Sequence, residues 1–127
     1  MARILVVDDD PSIRSLLTDV LKLEGHEVAI AVDGLAAVRA VEAVDPDFVI
    51  LDVMMPGLDG FAVLEAIRRL EGAPVPVLML TAAAESAANA RAWAGGADYY
   101  LAKPFTADAV LDLIDGVLAQ EVRVGDL

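Results

Sequence analysis

Cysteine is absent from the chain, which excludes disulfides, thiolate metal sites and thiol nucleophiles and fits a cytosolic setting. Basic residues are scarce: 9 Lys and Arg stand against 21 Asp and Glu, a formal net charge of -12. A surface that negative repels phosphate backbones and anionic headgroups, so neither direct nucleic-acid contact nor membrane attachment is expected. The longest apolar runs fall far short of a membrane span, and Met1 to Val7 followed by three acids does not read as a signal peptide. Aromatics amount to 5%, so the core must come mostly from Ala, Val, Leu and Ile. The single histidine, His26, falls in the turn after the first helix and reads as a solvated turn residue without a phosphotransfer role. What remains is a soluble, cytoplasmic chain of 127 residues, enough for one domain with a real core.

That chain is organised around Val49-Ile50-Leu51-Asp52-Val53-Met54-Met55-Pro56-Gly57. Phe48 to Leu51 is apolar and partly β-branched, the pattern of a strand buried on both faces. Asp52 then stands at the carboxyl end of a central strand, the edge where open α/β sheets carry their chemistry.

Five strand-helix units repeat down the sequence. Ile4 to Val7 is a strand ending in Asp8-Asp9-Asp10, and Pro11 suits the first helical position with an acid before it as N-cap. Ile13, Leu16, Leu17, Val20 and Leu21 follow at helical spacing, and Gly25 closes that helix. Val28 to Val32 is a second strand, at an edge. Asp33-Gly34 opens a helix with Leu35, Ala37, Val38 and Val41 inward, ending before Asp45-Pro46. After the third strand a loop runs to Gly60, and Phe61, Leu64 and Ile67 mark a third helix, stopped by Gly72 and Pro74. Val77 to Leu80 is a strand ending in Thr81. An Ala-rich helix spans Ser86 to Ala94, Tyr99 to Ala102 is a fifth strand ending in Lys103-Pro104, and Asp108 to Leu118 is the last helix. Alternation of this kind demands right-handed crossovers and a parallel sheet covered on both faces. The expected strand order is 2-1-3-4-5, which sets the ends of strands one and three side by side.

The strand ends then bring together Asp8 and Asp9, Asp52, Thr81 and Lys103. Three carboxylates so close repel one another unless a divalent cation lies between them. Oxygen ligands without His or Cys favour Mg²⁺, or Mn²⁺, in octahedral geometry. Asp52 becomes a nucleophile toward phosphorus, with Lys103 neutralising one phosphoryl oxygen and the Thr81 hydroxyl donating to another. A lone acid at a strand end is ordinarily a cap or a solvated loop residue, which is the reading for Asp10 and Asp59. The coincidence of acid, acid, hydroxyl and amine at successive strand ends sets the other five apart.

These residues resemble those of response-regulator receiver domains of bacterial two-component signalling. The resemblance rests on Val6-Val7-Asp8-Asp9, Leu51-Asp52-Val53-Met54-Met55-Pro56 with Gly60 beyond, Thr81-Ala82, Gly96-Ala97-Asp98 and Tyr100-Leu101-Ala102-Lys103-Pro104-Phe105, and it covers about residues 3 to 119. It implies a flavodoxin-like (βα)5 fold and a phosphorylation-activated switch. Asp52 is implied as the phosphoacceptor, and Asp9, Asp52 and the Met54 backbone carbonyl as direct Mg²⁺ ligands, with Asp8 acting through a metal-bound water. Thr81 and Lys103 contact the phosphoryl group, and Tyr100 is the aromatic that turns inward when Thr81 moves. The Lys103-Pro104 bond is implied to be cis. The phosphodonor is a phosphohistidine on a sensor histidine kinase or phosphotransfer protein, docking against the first helix. Such a domain is no enzyme toward other substrates, although it catalyses its own phosphorylation and dephosphorylation.

Three departures refine this expectation. Met54 and Ala83, two beyond Asp52 and Thr81, carry no polar group to hold an attacking water, so the phosphoryl group should be long-lived. Residues 1–120 form the receiver, and Glu121-Val122-Arg123-Val124-Gly125-Asp126-Leu127 resembles a linker or the opening strand of a truncated OmpR-type effector, which makes a transcriptional regulator the expected whole. Regulators of that type form homodimers through the fourth helix, fifth strand and fifth helix. Here Asp108, Asp112 and Asp115 lack a base among them, and Tyr99 stands where an acid is usual, which disfavours the pairing. Trp93 on the fourth helix is either an exposed anchor for a partner or packed against the sheet.

Two rivals share parts of the pattern. A Mg²⁺-dependent phosphatase of the haloacid-dehalogenase type would use Asp8 of Asp8-Asp9-Asp10 as nucleophile, but it would leave Asp52 without a task, and no cap segment is evident. A flavodoxin-like cofactor carrier would need a phosphate loop after the first strand, where three acids stand instead.

Overall fold

The computed structural model describes residues 2–52, 60–69, 75–82, 98–103 and 105–126, with the backbone alone at 81, 82, 100, 102, 103 and 119–126. Five parallel strands form one sheet: β1 (Arg3–Val7), β2 (Glu27–Ala31), β3 (Phe48–Asp52), β4 (Val77–Ala82) and β5 (Tyr99–Lys103). Their order is β2-β1-β3-β4-β5, as the alternating pattern requires. The described helices are α1 (Pro11–Leu23), α2 (Gly34–Val44), α3 (Gly60–Arg69) and α4 (Ala107–Asp126), the last being the fifth helix of the sequence pattern. The predicted Ser86 to Ala94 helix, with Trp93, lies outside the described residues.

Each face of the sheet has its own core, because successive strand residues point to opposite sides. Leu5, Val7, Val49, Leu51, Val77 and Met79 pack with Ala37 of α2 and Phe61, Leu64 and Ile67 of α3. Ile4, Val6, Phe48, Ile50, Leu78 and Leu80 pack with Leu17 and Leu21 of α1 and Val110 and Ile114 of α4. All five residues of β3 are buried, as a strand covered on both faces must be. β2 at the edge is half-exposed.

The helix boundaries follow capping chemistry. Asp10 caps α1, its Oδ1 accepting from the Ser12 N–H at 2.9 Å, with Pro11 at the first position. Asp33 caps α2 through the Ala36 N–H at 2.8 Å. Asp45, at φ 51, ends α2 in the left-handed region ahead of Pro46. At the amino end of the sheet, Arg68 of α3 donates from Nη1 to the Val75 carbonyl and from Nη2 to Asp98, both at 2.7 Å. The same Asp98 oxygen accepts the Val77 N–H at 2.9 Å.

Several expectations need correction. Leu35, expected inward, is 57% exposed, and Leu16 of the apolar series on α1 is 47% exposed. Leu35 stands two residues before buried Ala37, about 200° around the helix, so both cannot face the sheet. Leu16 lies at the margin of the stripe whose centre is Leu17 and Leu21. His26 is not freely solvated but half-buried, its Nδ1 accepting the Ala2 N–H at 3.2 Å. The second strand begins at Glu27 and stops at Ala31, one residue ahead of the expected span at each end. The tail residues 121–126 continue α4 instead of opening a strand. Extending an existing helix adds a hydrogen bond per residue without a new nucleation cost, which outweighs the weak alternation of Val122 and Val124.

Candidate functional site

The site lies at the carboxyl ends of the two central strands. In register, Val7 pairs with Leu51, so the next residues, Asp8 and Asp52, stand level with one another. By alternation they continue the rows Ile4-Val6 and Phe48-Ile50, above the core that α1 and α4 cover. Asp8 is fully buried and Asp52 is 3% exposed, the only buried charged residues among those described. Asp9, next in the turn, is exposed. One carboxylate oxygen from each of Asp8, Asp9 and Asp52 falls within 4.8 Å of the others.

The turn that carries two of these acids is tightly held. Asp8 Oδ1 accepts the Asp10 N–H at 2.9 Å, and the Asp8 N–H donates to the Ala31 carbonyl at 3.3 Å. Arg14, half-buried on α1, donates from Nη1 to the Asp8 carbonyl at 2.8 Å. Arg14 is the neighbour of the site that sequence reasoning missed. The available signal was a base in the opening turns of a helix, the end where the macrodipole disfavours positive charge.

The remaining strand ends arrive at the same rim. Asp52 pairs with Leu80 and Leu80 with Leu101; one step on, Thr81 pairs with Ala102, and Ala82 with Lys103. Thr81 therefore lies one residue, and Lys103 two residues, past the level of Asp52. Tyr100 of β5 pairs with Met79 of β4. The predicted contributions of Met54 and Pro104 fall outside the described residues, as does Ala83.

Three convergent carboxylates, two of them buried, form an oxygen-only donor set that fits a hard divalent cation. Among the described residues no helix is long and apolar enough to cross a membrane.

A doubly wound parallel sheet with an acidic, cation-competent switch point defines the class: an α/β protein whose site lies at the carboxyl ends of its strands. Comparison with known proteins makes this specific. Residues 4–115 match the response regulator receiver domain. The chain is 39% identical over 125 residues to the DNA-binding dual master transcriptional regulator RpaA of Synechocystis sp., covering 98% of this chain and 52% of that protein. It is 49% identical over 106 residues to the transcriptional regulatory protein TcrA of Mycobacterium tuberculosis, covering 84% and 42% respectively. Among solved structures, the chemotaxis response regulator CheY4 of Vibrio cholerae superposes with a TM-score of 0.86 at 35% identity, over 92% of this chain and 98% of that one.

The chain belongs to the response-regulator receiver family, the phosphorylation-activated switches of two-component signalling. Its role is signalling, and receivers of this family interact with histidine kinases. The match lends nothing to the phosphatase alternative. The chain spans about half the length of the curated relatives it matches.

Proposed function

We propose that Asp52 is the phosphoacceptor of a Mg²⁺-dependent receiver and that its phosphorylation is read out through Thr81 and Tyr100. The observation that carries this is the convergence of Asp8, Asp9 and Asp52 within 4.8 Å, with Asp52 buried at the end of the central strand. Asp9, Asp52 and the Met54 carbonyl would hold the ion, with Asp8 supporting it through water. When bound, the ion offsets the charge of the acids and of the incoming phosphoryl oxygens. Mn²⁺ suits the same donors.

An Asp52 carboxylate oxygen attacks phosphorus, the bond from phosphorus to the donor's imidazole nitrogen breaks, and the histidine leaves with the electron pair. Transfer of this type needs alignment and charge compensation more than covalent chemistry. Lys103 supplies a positive charge for one phosphoryl oxygen and Thr81 a hydroxyl for another, contacts that exist only in the phosphorylated state. That differential favours movement of Thr81 and an inward turn of Tyr100. Self-catalysed loss of the group is slow, since Met54 and Ala83 cannot orient water.

The donor is a sensor histidine kinase or phosphotransfer protein, and the setting is cytoplasmic. Transcriptional output is the reading for the whole protein, because RpaA and TcrA are transcriptional regulators and this chain matches about half of each. Residues 1–120 form the receiver, and the segment beyond serves as a helical linker toward an effector. Homodimerisation through the Ser86 to Ala94 segment, β5 and α4 is weakened by the acids Asp108, Asp112 and Asp115 on α4.

The test is incubation with Mg²⁺ and acetyl phosphate followed by peptide mapping of the acyl phosphate. Label on Asp52 that requires the metal is expected. Label on Asp8, with turnover of phosphate esters, would overturn the reading in favour of a phosphatase.

A further inference from the structure

Arg14 occupies a position that ordinary helix electrostatics does not explain. It is the fourth residue of α1, close to the N-terminus, where the dipole favours acids. Three consecutive acids, Asp8, Asp9 and Asp10, lie just before the helix. Among the described residues Arg14 nevertheless forms no ion pair with any of them; its guanidinium donates to the main-chain carbonyl of Asp8 at 2.8 Å. The contact spans six residues and is half-buried. It reaches back toward the helix start, the direction in which helical side chains lean.

The consequence falls on one residue. Asp8 is fixed at its side chain by the Asp10 N–H on Oδ1, at its own N–H by the Ala31 carbonyl, and at its carbonyl by Arg14. The first two bonds come from the turn and the sheet. The third is the one that ties the peptide between Asp8 and Asp9 to α1. Rotation of that peptide would swing the exposed Asp9 carboxylate relative to buried Asp8 and Asp52.

We propose that Arg14 is a positioning residue: by anchoring the Asp8 carbonyl to α1 it holds the Asp8 and Asp9 carboxylates in register with Asp52 for Mg²⁺. This rests on the reading of the acidic cluster as a Mg²⁺ site. Outer partners of metal ligands typically change affinity by about 10- to 100-fold when removed.

The experiment measures Mg²⁺ affinity by calorimetry and metal-free stability by urea unfolding for wild type, Arg14→Met and Arg14→Lys. Met keeps the apolar stem and removes donor and charge, whereas Lys keeps one donor and the charge. The expected result is a roughly ten-fold loss of Mg²⁺ affinity in Arg14→Met and recovery of most of it in Arg14→Lys. Unchanged affinity in Arg14→Met would overturn the proposal, as a merely structural bond lowers the urea midpoint without touching the metal. Tighter binding in Arg14→Met would overturn it too, because Arg14 would then act only as a repelling charge. If Arg14→Met does not fold, Arg14→Gln replaces it and must still bind more weakly than wild type. Failure of wild type itself to bind Mg²⁺ would sink the site assignment instead, a result distinct from the others.

Discussion

Asp33 and Asp52 both lie at the carboxyl end of a strand, yet they do opposite things. Asp33, beyond the edge strand β2, is exposed, and its carboxylate accepts the Ala36 N–H at 2.8 Å to cap α2. Asp52, ending the central strand β3, is buried and shares a 4.8 Å neighbourhood with two more carboxylates. The first has a backbone donor and water around it, so its charge is satisfied locally. The second is buried beside two more carboxylates, a donor set that fits a hard divalent cation. Position in the sheet order, not residue type, separates the cap from the site.

That contrast can be broken or sharpened by substitution. Asp52→Asn should abolish acyl-phosphate labelling entirely, and residual label mapped to Asp8 or Asp9 would show that the acids are interchangeable. Asp8→Asn should weaken Mg²⁺ binding by roughly ten-fold or more while raising the urea midpoint of the metal-free protein, since it removes a like charge and keeps the acceptor for the Asp10 N–H. Calorimetry and unfolding curves on the same preparations would check both halves. An acid two residues beyond Asp52 in the sequence, as in Met54→Glu, should shorten the phosphoryl lifetime several-fold by supplying a group to hold water. A wild-type half-life of seconds would remove the premise. The smallest effect belongs to the cap: Asp33→Ala should cost about 1 kcal/mol of stability and leave Mg²⁺ affinity unchanged. A change in affinity there would mean that the edge and the centre are not independent.

Much of this is legible in the sequence alone, for reasons that differ by element. The strands were clear because Ile4 to Val7, Phe48 to Leu51 and Val77 to Leu80 are apolar on both faces, a pattern that surface segments do not sustain. The acidic cluster followed from strand order alone, since register needs only the alternation of strand and helix. Burial along the helices was less legible. Leu16 and Leu17 are chemically identical neighbours, and only the angle at which α1 meets the sheet decides that Leu17 goes in. The acceptor role of His26 depends on Ala2, 24 residues away, and no local pattern encodes that meeting. Arg14 was overlooked for the same reason: its partner is a carbonyl, and carbonyls are the same at every position. The tail differs because the alternation within Glu121 to Leu127 resembles a strand, whereas the residues before it are already helical.

The fastening of Asp98 and Arg68 around Val75 and Val77 bears on how a signal could travel along β4. A ribbon clamped at its foot cannot shift like a piston, so the movement proposed for Thr81, about 13 Å higher, would be a bend whose amplitude grows from the anchor upward. Amide exchange at Val77 should then stay equally slow with and without the phosphoryl group, while the top of the strand alone changes pace.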